Sequence, residues 1–120
     1  MPHGTDSRFP AAMRLKRRDD FRCVFQHGSV WRGRWFTAHV LPREEGCRLG
    51  IVIGRRWGPA VERNRMKRLF REAFRQNKTR IPASDIIVRP ADACREANVE
   101  ALGRMLVLAA NESMDKRGDR

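Results

Sequence analysis

A helix that is cationic on almost every side but one constrains this chain more than any other feature. Over Arg63-Asn64-Arg65-Met66-Lys67-Arg68-Leu69-Phe70-Arg71-Glu72-Ala73-Phe74-Arg75, apolar residues recur at helical spacing. Turned at about 100° per residue from Val61, the side chains Met66, Leu69, Phe70 and Ala73 form one stripe, with Val61 and Phe74 at its edges. Asn64, Arg68, Arg71 and Arg75 lie opposite the stripe, and Arg63 and Arg65 flank it. Such a helix docks on a core through the stripe and offers a field of guanidinium groups to a polyanion.

The 120 residues hold one domain with one core. Residues 14–114 are expected to form it, with a flexible lead-in over 1–13 and a flexible tail over 115–120. The formal net charge of +12 is uneven. Residues 54–80 set ten Lys/Arg against Glu62 and Glu72, a net of +8, whereas residues 81–120 set six against seven, a net of −1. A mixed-charge helix face is usually just a solvated surface. Here one sign dominates a short segment, which favours a polyanionic partner, nucleic acid ahead of an acidic membrane. Arginine supplies nearly all the charge, since Lys16, Lys67, Lys78 and Lys116 are the only lysines. Arginine suits forked phosphate contacts and base stacking, although a GC-rich genome enriches it too.

Cys23, Cys47 and Cys94 are odd in number, far apart and in no C-x-x-C pair, so neither a disulfide framework nor a zinc site is expected. This fits a reducing setting. No apolar signal-peptide core stands near the N-terminus, and no apolar run approaches the roughly 20 residues that span a bilayer. The expectation is a soluble, cytoplasmic protein.

Along the chain, Asp19 or Asp20 can cap a short helix with Phe21, Val24 and Phe25 on one face and Gly28 as its stop. Ser29–Arg32 can add a short strand. In Trp35–Leu41, Phe36, Ala38 and Val40 alternate with Trp35, Thr37 and His39; in Arg48–Gly54, Leu49, Ile51 and Ile53 alternate with Gly50, Val52 and Gly54. Pro42 and Gly46 mark a hairpin-like connection between these two strands. Pro59 suits the start of the basic helix, which Ile81-Pro82 should end. Asp85–Arg89 is predicted to be a strand. A final helix running to about Met114 buries Val99, Leu102, Leu106 and Ala109, with Asp92 and Asn98 as rival caps. Layer counting predicts an α+β sandwich with two helices on one sheet face and a groove beside the first helix on the other.

Chemistry-bearing residues are sparse. His3, His27 and His39 have no neighbouring carboxylate or cysteine at useful spacing, and the pairs Asp19-Asp20 and Glu44-Glu45 suit caps and polar loops. RNA binding needs a different set: arginines that neutralise phosphates and aromatic rings on which unpaired bases stack. Phe21 and Phe25, with Trp35, Thr37 and His39 on one strand face, stand near the expected groove, and Arg55-Arg56 extends the cationic surface. Taken alone, the two phenylalanines read more readily as core residues.

These residues together resemble the protein subunit of bacterial ribonuclease P. The likeness runs through Phe21, Val24, Phe25 and Gly28, Arg48-Leu49-Gly50-Ile51, Arg55-Arg56, Gly58, Ala60-Val61 and Arg63-Asn64-Arg65. It continues through Lys67-Arg68, Arg71-Glu72-Ala73-Phe74-Arg75 and Asp85-Ile86-Ile87-Val88, so it covers roughly residues 14–110. The resemblance implies an α-β-β-β-α-β-α sandwich with a four-stranded sheet, ribosomal protein S5 domain 2-like, and a left-handed crossover where the general rule is right-handed. It also implies the function: part of an endoribonuclease that removes the 5′ leader of precursor tRNA, its active site and magnesium ions carried by the RNA subunit and no cofactor held by the protein. By the same resemblance, Arg63, Asn64, Arg65, Lys67, Arg68 and Arg71, helped by Arg55 and Arg56, would face the catalytic RNA. Phe21, Phe25, Thr37 and His39 would line the cleft for the leader. Two departures stand out: Pro59 removes an amide donor at the helix start, and His39 replaces a larger aromatic. A structural RNA-binding protein of the ribosome is the alternative. A double-stranded DNA binder ranks last, because no turn-helix partner precedes the basic helix.

Overall fold

The computed structural model describes residues 9–118; His3 with the rest of the lead-in before Phe9, and the last two residues of the tail, lie outside them. Apolar periodicity becomes three helices and four strands: α1 (Arg18–His27), β1 (Ser29–Arg32), β2 (Phe36–Pro42), β3 (Cys47–Ile51), α2 (Ala60–Gln76), β4 (Ser84–Pro90) and α3 (Val99–Gly118). The order is the expected α-β-β-β-α-β-α, in one four-stranded sheet.

The sheet order β1-β2-β4-β3 corrects one expectation. β2 and β3 do not pair as a hairpin, because β4 lies between them, antiparallel to β2 and parallel to β3. Pro42 and Gly46 signal a reversal, and Gly46 does take φ +77°, but a turn does not choose a strand's partner. The stronger cue is Ile86-Ile87-Val88, which does not alternate. A strand apolar on both faces belongs inside a sheet covered on both sides, and all three residues are fully buried. The parallel pair β3–β4 is joined through α2.

Register divides the faces. Phe36, Ala38, Val40, Leu49, Ile86 and Val88 meet Met66, Phe70, Ala73 and Phe74 of α2 and Leu102, Leu106, Ala109 and Ala110 of α3 in the main core. Phe36 and Phe70 touch edge to face at 5.4 Å. On the other face a smaller cluster joins Leu15, Val24 and Ile87, with Phe21 and Leu41 packed against it. The single helix α1 therefore covers only part of that face. Its N-terminus is not capped by Asp19 or Asp20. Both lie in the first turn, where a carboxylate still favours the helix dipole. Gly28 follows α1 because a Cβ there would stand 2.6 Å from the Val24 carbonyl oxygen and 3.0 Å from that of Val40.

Other boundaries also move. α2 stops at Gln76, before Ile81-Pro82, where the Asn77 side chain donates to the Ala73 carbonyl at 2.8 Å. Asn98 is the cap of α3, its Oδ1 accepting the Ala101 N–H at 2.8 Å; Asp92 opens a separate short turn. α3 continues past Met114 to Gly118, into the expected tail. The ordered N-terminal part starts ahead of residue 14: Phe9 is buried against Phe74, ring centroids 5.9 Å apart, and Leu15 N–H donates to the Leu49 carbonyl. The segment Phe9–Lys16 thus runs as a strap along the free edge of β3, pairing through Arg14 with Leu49. A covered edge is less open to intermolecular pairing.

Candidate nucleic-acid interface

The stripe of α2 buries Met66, Phe70, Ala73 and Phe74, while Val61 at its start stays 78% exposed. Burial of one face fixes what the others present. Asn64, Arg65 and Arg68 are exposed, and Lys67 and Arg71 half-buried. Arg63 is turned back: its guanidinium donates to the Gly58 carbonyl at 2.6 Å, securing the helix start at the same time as it contributes charge. Arg75 is neutralised by Glu72 at 2.6 Å, and this bond, with a second from Gln76, holds the Glu72 carboxyl below its usual range. Arg55 and Arg56 are exposed on a short 3-10 turn just before α2. Arg95 pins that turn. It stacks 4.0 Å above the Trp57 ring, donates to the Trp57 carbonyl and pairs with Glu62 at 3.5 Å. Nothing in the sequence pattern announces this role of Arg95, because Trp57 and Glu62 lie more than 30 positions away.

The half-covered sheet face carries the second group. Phe21 lies on Gly50, where a Cβ would come within 2.7 Å of the Phe21 ring, so only glycine lets the ring settle on the strand. Phe25 is 41% exposed and meets the His39 ring edge-on at 4.8 Å. Thr37 is half-buried two residues before His39. Pairing sets Thr37 opposite Arg32 on one side and opposite Arg89 on the other. The register therefore places Arg32 and Arg89 beside Thr37 on that face. Strand alternation hints at their face, but only the pairing register aligns them.

Neither ring nitrogen of His39 meets a hydrogen-bonding protein group, and both are buried. Burial, then the charges of Arg89 and Arg32, push its pKa below the ordinary imidazole value. The folded protein thus binds a proton at His39 less readily than the unfolded chain does. This contribution to stability is complete above about pH 6.5 and is lost as pH falls through the lower folded value. His39→Phe is expected to flatten that acid limb of the melting temperature against pH. An unchanged limb would refute the assignment.

Two residues that could carry reactive chemistry are buried away from this surface. Cys94 is sealed in the core against Met66, and burial pushes its thiol up to about 12. Asp85, the most buried acid among the described residues, is held in a two-pronged bond by Arg48. Among the described residues, no group of three or more His, Cys, Asp or Glu could hold a metal ion. Nor is any described helix long and apolar enough to cross a membrane.

Comparisons with known proteins show the family. The family profile named Ribonuclease P matches residues 9–112. The Ribonuclease P protein component of Azoarcus sp. (strain BH72) is 39% identical over 108 residues, covering 88% of this chain and 90% of that protein. The one from Bacillus cereus (strain AH187) is 33% identical over 107 residues, covering 87% and 93%. Among solved structures, the RNase P protein of Thermotoga maritima superposes with a TM-score of 0.71 at 32% identity, covering 82% of this chain and 96% of that one. The Staphylococcus aureus RNase P protein gives 0.69 at 27% identity, covering 88% and 95%.

Proposed function

Because the chain belongs to the Ribonuclease P family of protein components, we propose that it is the RNA-gripping, non-catalytic subunit of the ribonucleoprotein that removes 5′ leaders from precursor tRNA. One observation carries the reading: the exposed cations of α2 stand beside a half-covered sheet face bearing Phe21 and Phe25, and among the described residues no cluster of three or more His, Cys, Asp or Glu could hold a metal ion.

In this reading Asn64, Arg65, Lys67, Arg68 and Arg71 contact the RNA subunit, with Arg63 at the helix start and Arg55 and Arg56 on the preceding turn. Their guanidinium forks neutralise phosphates and release counterions, which supplies most of the affinity. Phe21 and Phe25 give unpaired leader bases a stacking surface, while Thr37 and His39 line its floor. The leader is held by the protein and the bond is cut on the RNA. Magnesium belongs to the RNA subunit, and no step is assigned to an ion on the protein. The setting is the bacterial cytoplasm, where tRNA precursors are made.

Reconstitution with a bacterial ribonuclease P RNA and labelled precursor tRNA tests this. The protein alone should leave the precursor intact, and protein with RNA should release the leader at low magnesium. Site-specific cleavage by RNA-free protein would reject the proposal. Phe21→Ala should weaken binding of leader-bearing precursor by about 1–3 kcal/mol, the range for one lost base stack, and leave mature tRNA binding nearly unchanged. Equal losses on both substrates, in a variant that still melts cooperatively, would remove Phe21 from the cleft.

A further inference from the structure

We propose that the trough between the strap Phe9–Lys16 and α2 is a binding site for an RNA phosphodiester backbone, gripped by Arg14 and Lys16 from the strap and by Arg68 and Arg71 from the helix. This extends the ribonucleoprotein reading to a segment that the sequence pattern assigns in part to a loose lead-in.

The strap is built into the fold at both ends. Phe9 is set against Phe74 in the main core, a short 3-10 turn follows at Ala11–Met13, and Leu15 is buried and bonded to β3. It stands off α2 far enough to leave a trough of about 690 Å³, with Arg14 and Lys16 on one bank and Arg68, Arg71 and Arg75 on the other. An adjoining space of about 130 Å³ shares Arg14, Lys16 and Arg71 and reaches Lys67, Gly50 and Phe21. The cationic trough therefore opens toward the aromatic cleft.

The described residues do not balance its charges. Among the described residues, Glu72 is the only acid lining the trough, and it already accepts Arg75 and Gln76. Among the described residues, no carboxylate pairs with Arg14, Lys16, Arg68 or Arg71. Burial first, and then the neighbouring charge of Arg14, lower the pKa of Arg71. Like charges drawn together in a partly desolvated groove repel, and no carboxylate of the described residues offsets them. A bound chain of phosphates turns that repulsion into attraction. Cations spread along two banks suit a strand with repeating charges better than one compact anion, which would reach only a pair of them.

The test uses the full-length protein carrying Arg14→Gln and Lys16→Gln together, with Arg104→Gln on the outer side of α3 as control. Affinity is measured against salt for three probes: the catalytic RNA, leader-bearing against mature tRNA in the reconstituted complex, and poly(U). Two lost contacts should flatten the log K against log salt slope by roughly 1.4–1.8. A change with catalytic RNA places that RNA in the trough; a change confined to leader-bearing precursor places the leader there. The Arg104 control should leave every slope in place. If the folded double variant matches wild type on all three probes, the trough is no RNA site. If wild type ignores catalytic RNA while poly(U) binding keeps its dependence on the trough, the ribonucleoprotein reading fails and the trough stands.

Discussion

Replacing Arg65 and Arg68 together by alanine is expected to flatten the salt dependence of catalytic RNA binding by roughly 1.4–1.8 slope units, because each lost phosphate contact removes about 0.7–0.9. Both side chains are exposed on α2, and among the described residues neither has a carboxylate partner. They stand outside the buried stripe of Met66, Phe70, Ala73 and Phe74, so truncating them leaves the core intact. The melting temperature should change little, since alanine is a good helix former and surface substitutions rarely shift stability by more than about 0.5 kcal/mol. Binding should weaken across RNA sequences, because phosphate contacts position a protein without reading bases. Filter binding at several salt concentrations measures both quantities. A slope equal to wild type would show that the α2 wall does not meet RNA.

Asp85→Ala should have the opposite profile, a large loss of stability arising in the sheet and not among the exposed cations of α2. Asp85 is 5% exposed, and its two oxygens accept the Arg48 guanidinium at 2.7 and 2.8 Å. Arg48 also reaches Asp20 on α1 at 3.5 Å, so the chain of charges ties the first helix to the sheet. Removing the carboxylate leaves a largely covered guanidinium without its main partner. Such a break costs about 3–5 kcal/mol, and the surviving Asp20 contact places this case near the lower end. That is a large part of the roughly 5–15 kcal/mol that holds an ordinary domain together. Urea unfolding should show a lower midpoint at an unchanged slope. The double change Arg48→Met with Asp85→Leu should recover much of the loss, because a well-packed apolar pair often replaces a buried ion pair at little cost. A midpoint for Asp85→Ala within about 0.5 kcal/mol of wild type would contradict the tie.

The two effects separate because stability and RNA affinity draw on different sides of the same elements. In α2, Phe70 faces the core and Arg68 faces outward, two positions apart. In β2, Phe36, Ala38 and Val40 are sealed, while Thr37 and His39 lie half-buried on the opposite face. Period alone assigns these faces, so the outward side of α2 and the Thr37–His39 side of β2 can be read from the sequence pattern.

What the residues fix locally is legible from order and spacing: the three helices, the four strands, the stripe of α2 and the positions of Phe21, Phe25, Thr37 and His39. Each follows from a period of 3.6 or 2 within a few neighbours. Strand partnership is not local. The turn at Gly46 gives no warning that β4 will lie between β2 and β3, since that order is decided by burying Ile86, Ile87 and Val88 on both sides. Nor does periodicity reveal that Arg32 and Arg89 flank Thr37, that Arg95 braces Trp57, or that the strap carries Arg14 and Lys16 to α2. Those meetings join residues distant along the chain, and only the packed core, by closing one arrangement of the sheet, brings them within reach.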